Sequence, residues 1–470
     1  MGEIVPLSCI PVLPGDTLQM STNALVRMSP LNTPVMHPTQ VRLHHFFVPN
    51  RLVWDQWEDF ITGGPDGTSA PTIPIIAHDG DKKNVATYQG VAPITGFNFN
   101  AFAVRGYNLI YTEFYRDQDL IAAPNEDTTN LKVCSWEKDY FTTCRPWSQK
   151  GPDVVVPLGD TAPVISAGVA GPTFTDVASE TEDWGLLRQE DLDSNAAFQN
   201  GFSGAKNGTW LDPGLIADLS QAAGVSVNDF RASFAIQRYQ EARARYGSRF
   251  TEYLRYLGVN PADQRLQRPE WLGGGTTRLQ FSEVLQTAND PEQTGQGREN
   301  FGVGDMYGHG IAAVRSNRFR KFFQEHGFVH TLMSIRPKAM YVNATPREFI
   351  KRNKEDYFQK ELANLGQQEV TDAELYGNNS SIVFGYQDRY QEYRYHPSQV
   401  AGDFRDTLNP YHMGRDLAPS PVLNQSFVEC RPTDRIFQVG STVADTCWIM
   451  ANNHVVARRI VPKRANPRII

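Results

Sequence analysis

One stretch of the chain carries apolar and small residues at a spacing of three and four positions. These residues are Phe102, Ala103, Gly106, Tyr107, Ile110 and Phe114, and the intervening polar positions include Arg105, Asn108, Glu113 and Arg116. This spacing places the first set on one face of an α-helix and the second set on the opposite face. The pattern therefore predicts an amphipathic helix within residues 105–120, RGYNLIYTEFYRDQDL, lying on a β-sheet.

Runs rich in β-branched and aromatic residues predict strands on both sides of this helix. The predicted strands cover residues 16–28, 41–53, 139–147, 277–287, 326–342 and 435–450, followed by an apolar run at 455–461. Residues 54–61 fit a short helix that the glycines after it end. Residues 265–275, RLQRPEWLGGG, contain Pro269 and three consecutive glycines, which predicts a loop. A glycine-rich segment, residues 295–310, is predicted to separate two strands.

Two long segments interrupt the predicted strands. Residues 159–224 are rich in Gly, Ala, Asp, Ser and Thr, which indicates a variable surface insertion. Residues 226–258 then predict a helical insertion, because Ser226 and Asp229 form a capping-box pattern. Phe230, Phe234 and Ala242 help to form the apolar stripe of the first helix, and Phe250, Tyr253, Leu254 and Leu257 are predicted to form the inward face of a second, shorter helix.

Composition favours a mainly β protein with many turns. Of the 470 residues, 40% are hydrophobic and 21% charged, and the 30 prolines and 37 glycines exceed the needs of a helical bundle. No run of about eighteen apolar residues and no secretion signal are present, so neither a membrane protein nor a secreted one is expected. The five cysteines, an odd number with no CxxC pair, are expected to be reduced thiols.

Charge is distributed unevenly along the chain. The net charge of −7 combines five positive charges after Asp445 with −12 elsewhere. The five are Arg458, Arg459, Lys463, Arg464 and Arg468, within a basic carboxyl-terminal arm at residues 455–470. A basic arm on an acidic body is typical of polyanion binding, with a solvated tail as the alternative. Arginines of the predicted helical insertion, notably Arg238 and Arg245, are further candidates for phosphate contacts.

No motif predicts catalysis or a bound metal. The glycines between Gly302 and Gly310 lack the Lys-Ser/Thr of a phosphate-binding loop, and His326 and His330 lie in a β-like run without a zincin glutamate. No Gly-x-Ser-x-Gly elbow is present. Aromatic residues interleaved with arginine in irregular segments are instead typical of protein interfaces and of single-strand binding. We therefore predict a binding protein, not an enzyme, with no cofactor and no metal site.

Six blocks of the sequence resemble the major capsid proteins of the microviruses, small icosahedral phages with circular single-stranded DNA, and most closely their gokushovirus-like branch. The blocks are PVMHPTQVRLHHFFVPNRLVWDQWEDF, RGYNLIYTEFYRDQDL, DYFTTCRPWSQKGP, LQRPEWLGGG, YGHGIAAVRSNRFRKFFQEHGF and FGYQDRYQEYRYHPSQVAGDFR, in the family's order. The region before the Ser226 helix is shorter than the surface insertion of that branch. The end, RRIVPKRANPRII, also differs from the end typical of the branch.

The resemblance implies one jelly-roll domain over residues 1–470, with eight strands and long loop and helical insertions. It implies a major capsid protein, sixty copies of which form a T=1 icosahedral shell in the virion after assembly in the bacterial cytoplasm. The implied partners are the single-stranded DNA genome, a small basic DNA-binding protein, a pilot protein, an internal scaffolding protein and a host surface receptor, with no membrane. The rival interpretations are a non-capsid oligomer that binds single-stranded nucleic acid without sequence preference, and a carbohydrate-active β-barrel enzyme.

Exposed polar and aromatic residues within the matching blocks are the candidates for subunit contacts. They are Arg105, Glu113, Arg116, Asp117, Trp271, Arg389 and Tyr393. Phe102, Tyr107, Ile110 and Phe114 are expected to pack on the core of their own subunit, because they share the apolar face of the predicted helix.

Overall fold

The computed structural model describes residues 1–154, 164–166, 173–175, 181–182, 209–212, 215–217, 227–285, 287, 306–378, 380–438 and 445–461. The chain divides into two compact units, Met1–Lys150 with Glu241–Ile470, and Gly151–Gln240. The predicted single domain and the exact limits of its insertions stay predictions.

The strands and helices follow one another along the chain with long connections. The strands are β1 Ile4–Val12, β2 Thr17–Met28, β3 Thr39–Pro49, β4 Ile75–Ala77, β5 Asn98–Asn100, β6 Val164–Ser166, β7 Thr173–Thr175, β8 Thr181–Glu182, β9 Thr209–Asp212, β10 Leu215–Ala217, β11 Glu270–Leu285, β12 Met306–Arg315, β13 Phe319–Phe322, β14 Gly327–Pro337, β15 Gln367–Thr371, β16 Val383–Asp388 and β17 Cys447–Arg458. The α-helices are α1 Trp57–Thr62, α2 Val85–Tyr88, α3 Phe102–Ile110, α4 Val227–Tyr246, α5 Phe250–Tyr256, α6 Asp372–Tyr376 and α7 Gln425–Val428.

Eight of these strands form a nearly closed antiparallel barrel. Their order is β1-β14-β3-β11-β12-β2-β13, and β17 pairs with β2. Strand β11 belongs to both halves of the barrel, because its first part pairs with β3 and its last part with β12. The predicted class, a mainly β jelly roll with long insertions, is thereby confirmed.

The barrel interior is filled by alternate residues of the strands. Val26 of β2, Leu43 of β3 and Val314 of β12 belong to one buried cluster together with residues of β11 and β14. A second cluster, which includes Met20 and Val329, continues the core toward the other end of the barrel. Two-residue alternation on a strand directs one side chain in two toward this core, which is why β2 and β3 alternate in the sequence.

A second core lies on the outer face of the β1-β14-β3 part of the barrel. Tyr107 and Ile110 of α3 are fully buried there against Phe46 of β3 and Leu332 of β14. The predicted helix on a sheet is therefore confirmed, as is the burial of Phe102, while Phe114 is half-buried and packs 4.8 Å from Phe46 between ring centroids. Gly106 is the point of closest approach, since an added Cβ would lie 2.7 Å from the His330 ring.

This helix is shorter than predicted. After Ile110 the chain makes one π-helical segment, Tyr111–Tyr115, and Arg116 is already extended. The Arg249 guanidinium donates hydrogen bonds to the carbonyl oxygens of Thr112 and Arg116, which satisfies the open carbonyls at this helix end.

The prediction of a loop at residues 265–275 is wrong for residues 270–275. Residues from Glu270 onward belong to β11, with a register shift between Trp271 and Gly273. The glycines are needed because neighbouring strands pass closely: an added Cβ at Gly274 would lie 2.2 Å from the Leu43 carbonyl oxygen, and one at Gly275 2.3 Å from that of Arg315. Glycine here marks a close backbone approach inside a sheet and not a loop.

Three other sequence predictions need correction. The run 139–147 is a turn, because the Asp139 carboxylate accepts hydrogen bonds from the backbone of Phe141 and Thr142 and winds the chain. Gly308 and Gly310, predicted to lie between strands, are within β12. The predicted strand at 435–450 and the run at 455–461 are replaced by one strand, β17, whose ladder to β2 continues through Asn453.

The unit Gly151–Gln240 contains two small sheets. Strand β10 pairs with β6, and β7 lies between β8 and β9, all antiparallel. The greater part of α4 also belongs to this unit. Part of the predicted surface insertion therefore forms strands.

Three buried histidines and the half-buried His44 predict a loss of stability in acid. Burial lowers the pKa of His37, His44 and His45 to about 4 and that of His330 to about 3. Unfolding returns each pKa to about 6.5, so the unfolded chain binds more protons between these values. We expect the free energy of unfolding to fall as the pH is lowered from about 6.5 to 4 in denaturant titrations.

The matched variants are His330→Gln and His454→Gln. The first removes one buried titrating group and should make the pH dependence shallower, whereas the second changes an exposed histidine of β17 and should leave it unchanged. Equal slopes in all three proteins would contradict the assignment to buried histidines.

Candidate nucleic-acid and subunit interface

Arg105, predicted to contact a neighbouring subunit, is held within its own. Its Nε and Nη2 atoms donate to the two carboxylate oxygens of Asp127 at 2.6 and 3.1 Å, and its Nη1 donates to the Val53 carbonyl oxygen. The hydrogen bonds that Arg105 donates to the Asp127 carboxylate raise the pKa of Arg105. This fork fixes the chain after β3 and the segment after α3 to the helix between them.

Asp117 lies at the centre of a network of ion pairs. It is only 8% exposed, and its Oδ2 is 2.7 Å from Lys138 Nζ and 3.4 Å from Arg145 Nη1. Arg145 continues the network to Asp119, which also pairs with Lys150. Burial acts to raise the pKa of Asp117, but Lys138 and Arg145 outweigh it, so the pKa of this carboxyl is lowered.

The other predicted interface residues differ in exposure. Trp271 on β11 is 56% exposed and Tyr393 49% exposed, with Lys351 Nζ 3.9 Å above the Tyr393 ring. Glu113 and Arg389 are half-buried, and Arg116 donates to the Ile121 carbonyl oxygen. Trp271 and Tyr393 are therefore accessible to a neighbour, and the role of the whole set stays a prediction.

The described part of the basic arm lies at the end of β17. Arg458 is exposed opposite Thr17, and Arg459 is 3.1 Å from Asp16 Oδ2. Lys463, Arg464 and Arg468 lie outside the described residues. Arg459 is thus partly neutralised by its own subunit, whereas Arg458 makes no ion pair within the described part of the chain.

The two arginines predicted on α4 have different surroundings. Arg245 pairs with Asp388 at 2.9 Å between Nε and Oδ1 and keeps 43% of its side chain exposed. Arg238 is exposed and belongs to the unit Gly151–Gln240. Their contact with DNA stays a prediction.

The face of α5 that was predicted to point inward is exposed except at the half-buried Leu254, and the apolar stripe of α4 is exposed as well. Phe230 and Phe234 are 48% and 56% exposed, and Phe250, Tyr253 and Leu257 are 62%, 42% and 55% exposed. A spacing of three and four residues identifies an apolar helix face, but it does not determine whether that face is buried within the same subunit or exposed.

Sequence reasoning missed a charged cavity of about 540 Å³ on the outer side of β3 and β14. Arg42 and Arg336 line it from the outer faces of β3 and β14. Further along each strand the same face carries apolar residues. The signal in the sequence was present: Arg42 and His44 precede Phe46 at alternate positions, so the outer face of β3 changes from polar to apolar.

The described residues offer no site for a metal and no membrane span. No group of three or more His, Cys, Asp or Glu side chains within them is placed to hold an ion. None of the helices in the described ranges is long and apolar enough to cross a membrane. All five cysteines are free thiols, as predicted.

An insertion-rich barrel with exposed apolar helix faces is typical of a subunit that builds a larger assembly. Residues 1–467 match the profile of the family described as capsid protein (F protein). The chain is 34% identical to capsid protein VP1 of Bdellovibrio phage phiMH2K over 460 residues, which cover 91% of this chain and 84% of the phage protein.

Two further relatives show a similar extent of likeness. Capsid protein VP1 of Chlamydia phage 1 is 29% identical, with 93% of this chain and 88% of that protein covered. Capsid protein VP1 of Spiroplasma virus 4 is 30% identical, with 91% and 85% covered.

The chain therefore belongs to the capsid protein (F protein) family. The resemblance to the gokushovirus-like microvirus proteins is confirmed. Membership of this family makes the chain a structural protein of the virion that assembles into a shell, and not an enzyme.

The ion-pair network around Asp117 predicts a large effect of one substitution. Asp117→Ala leaves Lys138 and Arg145 without this carboxylate in a mostly buried site, so the free energy of unfolding should fall by about 2–4 kcal/mol. Chemical denaturation measures the change. Gln118→Ala, at the exposed neighbouring position, should change it by less than about 0.5 kcal/mol. Equal effects of the two substitutions would show that the network does not stabilise the subunit.

Proposed function

We propose that sixty copies of this protein form a T=1 icosahedral shell that encloses a circular single-stranded DNA genome. The observation that supports the shell most directly is the number of large apolar side chains left exposed on the single subunit. Besides α5, they include Phe349 at 80%, Phe358 at 57%, Trp448 at 52% and Met450 at 75% exposure. Monomeric proteins rarely expose apolar surface on this scale, because covering it stabilises an assembly.

Several separate apolar regions suit a closed shell better than a dimer. The exposed residues lie on α5, in the segment around residues 349–365 and on the outer face of β17. A subunit of an icosahedral shell meets its neighbours through several different interfaces, each repeated by symmetry. Three distinct exposed regions on one subunit are consistent with this arrangement.

The proposed genome contacts are electrostatic. Cations of the basic arm, together with Arg238 and Arg245, neutralise phosphates without regard to sequence, as binding of a whole genome requires. The body of the chain carries −12 and the arm +5, so an acidic exterior with the arm turned inward explains the split. The small basic protein, pilot protein, scaffolding protein, host receptor and cytoplasmic assembly rest on the resemblance alone.

Assembly is tested by a charge placed on the exposed face of α5. Phe250→Asp should leave the subunit folded, because the ring is 62% exposed, but should strongly reduce particle formation by placing a carboxylate in a subunit contact. Electron microscopy and sedimentation of the expressed protein measure the yield of closed shells of one diameter. Lys82→Asp, at an exposed position outside the three apolar regions, is the control and should assemble normally.

Discrete oligomers that coat added DNA, in place of closed shells formed by the wild-type protein, would support the rival nucleic-acid-binding interpretation. Normal assembly of the Phe250→Asp variant would remove α5 from the interface without contradicting the shell.

Deletion of residues 461–470 tests the basic arm. The truncated protein loses Lys463, Arg464 and Arg468, so we expect shells with a lower DNA content, measured as the ratio of absorbance at 260 to 280 nm in purified particles. Replacement of the same three residues by Gln keeps the length of the chain and should lower the DNA content of the shells in the same way. Full packaging by both variants would contradict a role of the arm in genome binding.

A further inference from the structure

The cavity beside β3 and β14 is lined by these two strands and by three further segments. Arg42, His44, Ser334 and Arg336 line it from the strands, and residues 114–119, 134–138 and 247–249 line it from the segment after α3, the segment beyond that and the residues just before α5. It belongs entirely to the unit Met1–Lys150 with Glu241–Ile470. Gln118 and Ser248 on its rim are exposed, so a small solute can enter from solvent.

Positive charge exceeds negative charge in the lining. Six cationic side chains, Arg42, Arg116, Lys138, Arg145, Arg249 and Arg336, accompany four carboxylates, Asp117, Asp119, Glu137 and Glu252. The carboxylates pair with Lys138, Arg145, Arg249 and Arg42. Among the described residues, Arg116 and Arg336 have no carboxylate partner within 4.0 Å. The lining therefore has two positive charges without compensation.

Arg42 and Arg336 reinforce this excess because they lie close together. They occupy neighbouring strands on the same face, with Arg42 opposite Ser334 and Arg336 opposite Gln40. Burial lowers the pKa of Arg42, and the charge of Arg336 lowers it further. Among the described residues, one carboxylate lies within 4.0 Å of Arg42, that of Glu137, at 3.5 Å and 43% exposed, so it compensates this pair weakly.

Two hydrogen-bond donors at the same cavity are also unused. The Nε atoms of Arg116 and Arg249 are buried and have no hydrogen-bond partner, although other nitrogens of both guanidiniums bind backbone carbonyl oxygens. Buried donors without a partner are rare in folded proteins, and an ordered water or a bound ion is one explanation for them.

We propose that this cavity binds a phosphate group, with Arg336 as its principal charge partner and Arg42 and Arg116 beside it. A phosphodiester carries one negative charge and inorganic phosphate between about one and two near pH 7, and Arg116 and Arg336, the two cations without a carboxylate partner, can balance either. Guanidinium groups bind phosphate oxygens in a bidentate manner and are preferred for this over ammonium groups. The group is either inorganic phosphate or a phosphodiester of nucleic acid. The site is separate from the basic arm and does not depend on it.

Calorimetric titration of the full-length protein with inorganic phosphate tests the proposal, with sodium chloride holding the ionic strength constant. The wild-type protein should bind phosphate saturably with one site per subunit. Arg336→Gln should weaken binding at least about tenfold, since it removes a charge-assisted hydrogen bond. Arg336→Lys, which keeps the charge, should retain part of the affinity. Arg320→Gln, at an exposed position of β13 away from the cavity, should bind like the wild type.

Circular dichroism of each variant verifies that it is folded, so that a loss of binding reports the site itself. Absence of saturable binding by the wild-type protein, or equal binding by all folded variants, would overturn the proposal. Competition with the dinucleotide dTpdT then distinguishes the two sources of phosphate. Displacement of bound phosphate would support a phosphodiester occupant, and binding unaffected by dTpdT would support inorganic phosphate.

Discussion

The structure depends on the burial of β14 on both of its faces. Val329, Met333 and Ile335 point into the barrel, while Leu332 faces the outer core and His330 packs on Gly106 of α3. A strand buried on both sides needs a cover outside the barrel, and α3 with the segments around Trp136 and Phe427 provides it. The insertions are therefore part of the folding core as well as connections between strands.

The same cover determines where charge is buried. Because the segment after α3 turns back across β3 and β14, it brings Asp117 and Asp119 to Lys138, Arg145 and Lys150. The polar ends of β3 and β14 remain beyond the apolar contact, and a cavity forms between them and this network. A dense set of ion pairs in a partly buried site is costly unless every charge has a partner. Two cations of the cavity, Arg116 and Arg336, have no carboxylate partner among the described residues, which makes the cavity a candidate site for an anion.

Prediction from the sequence succeeded where the spacing of apolar residues along an element matches the face that the folded subunit buries. Strands β2 and β3 and helix α3 were recognised because one face of each is buried by the subunit itself. It failed at Gly274 and Gly275, where a short approach to another strand requires glycine inside a sheet, and at Asp139, where a side chain bonds the following backbone and forms a turn. It also failed for Phe250 and Leu257, whose apolar face remains exposed in the single subunit.

The amino-acid sequence by itself determined the mainly β class, the presence of the amphipathic helix α3, the reduced state of the cysteines and the family. These properties depend on residue types and on short spacings along the chain. The six sequence blocks shared with the family retain both. Only the tertiary structure decided that Arg105 binds Asp127, that Asp117 is buried among cations, and that Arg42 and Arg336 face one cavity. Each of these pairs joins residues distant in the chain, and the strand register that brings them together is set by the packing of the whole barrel.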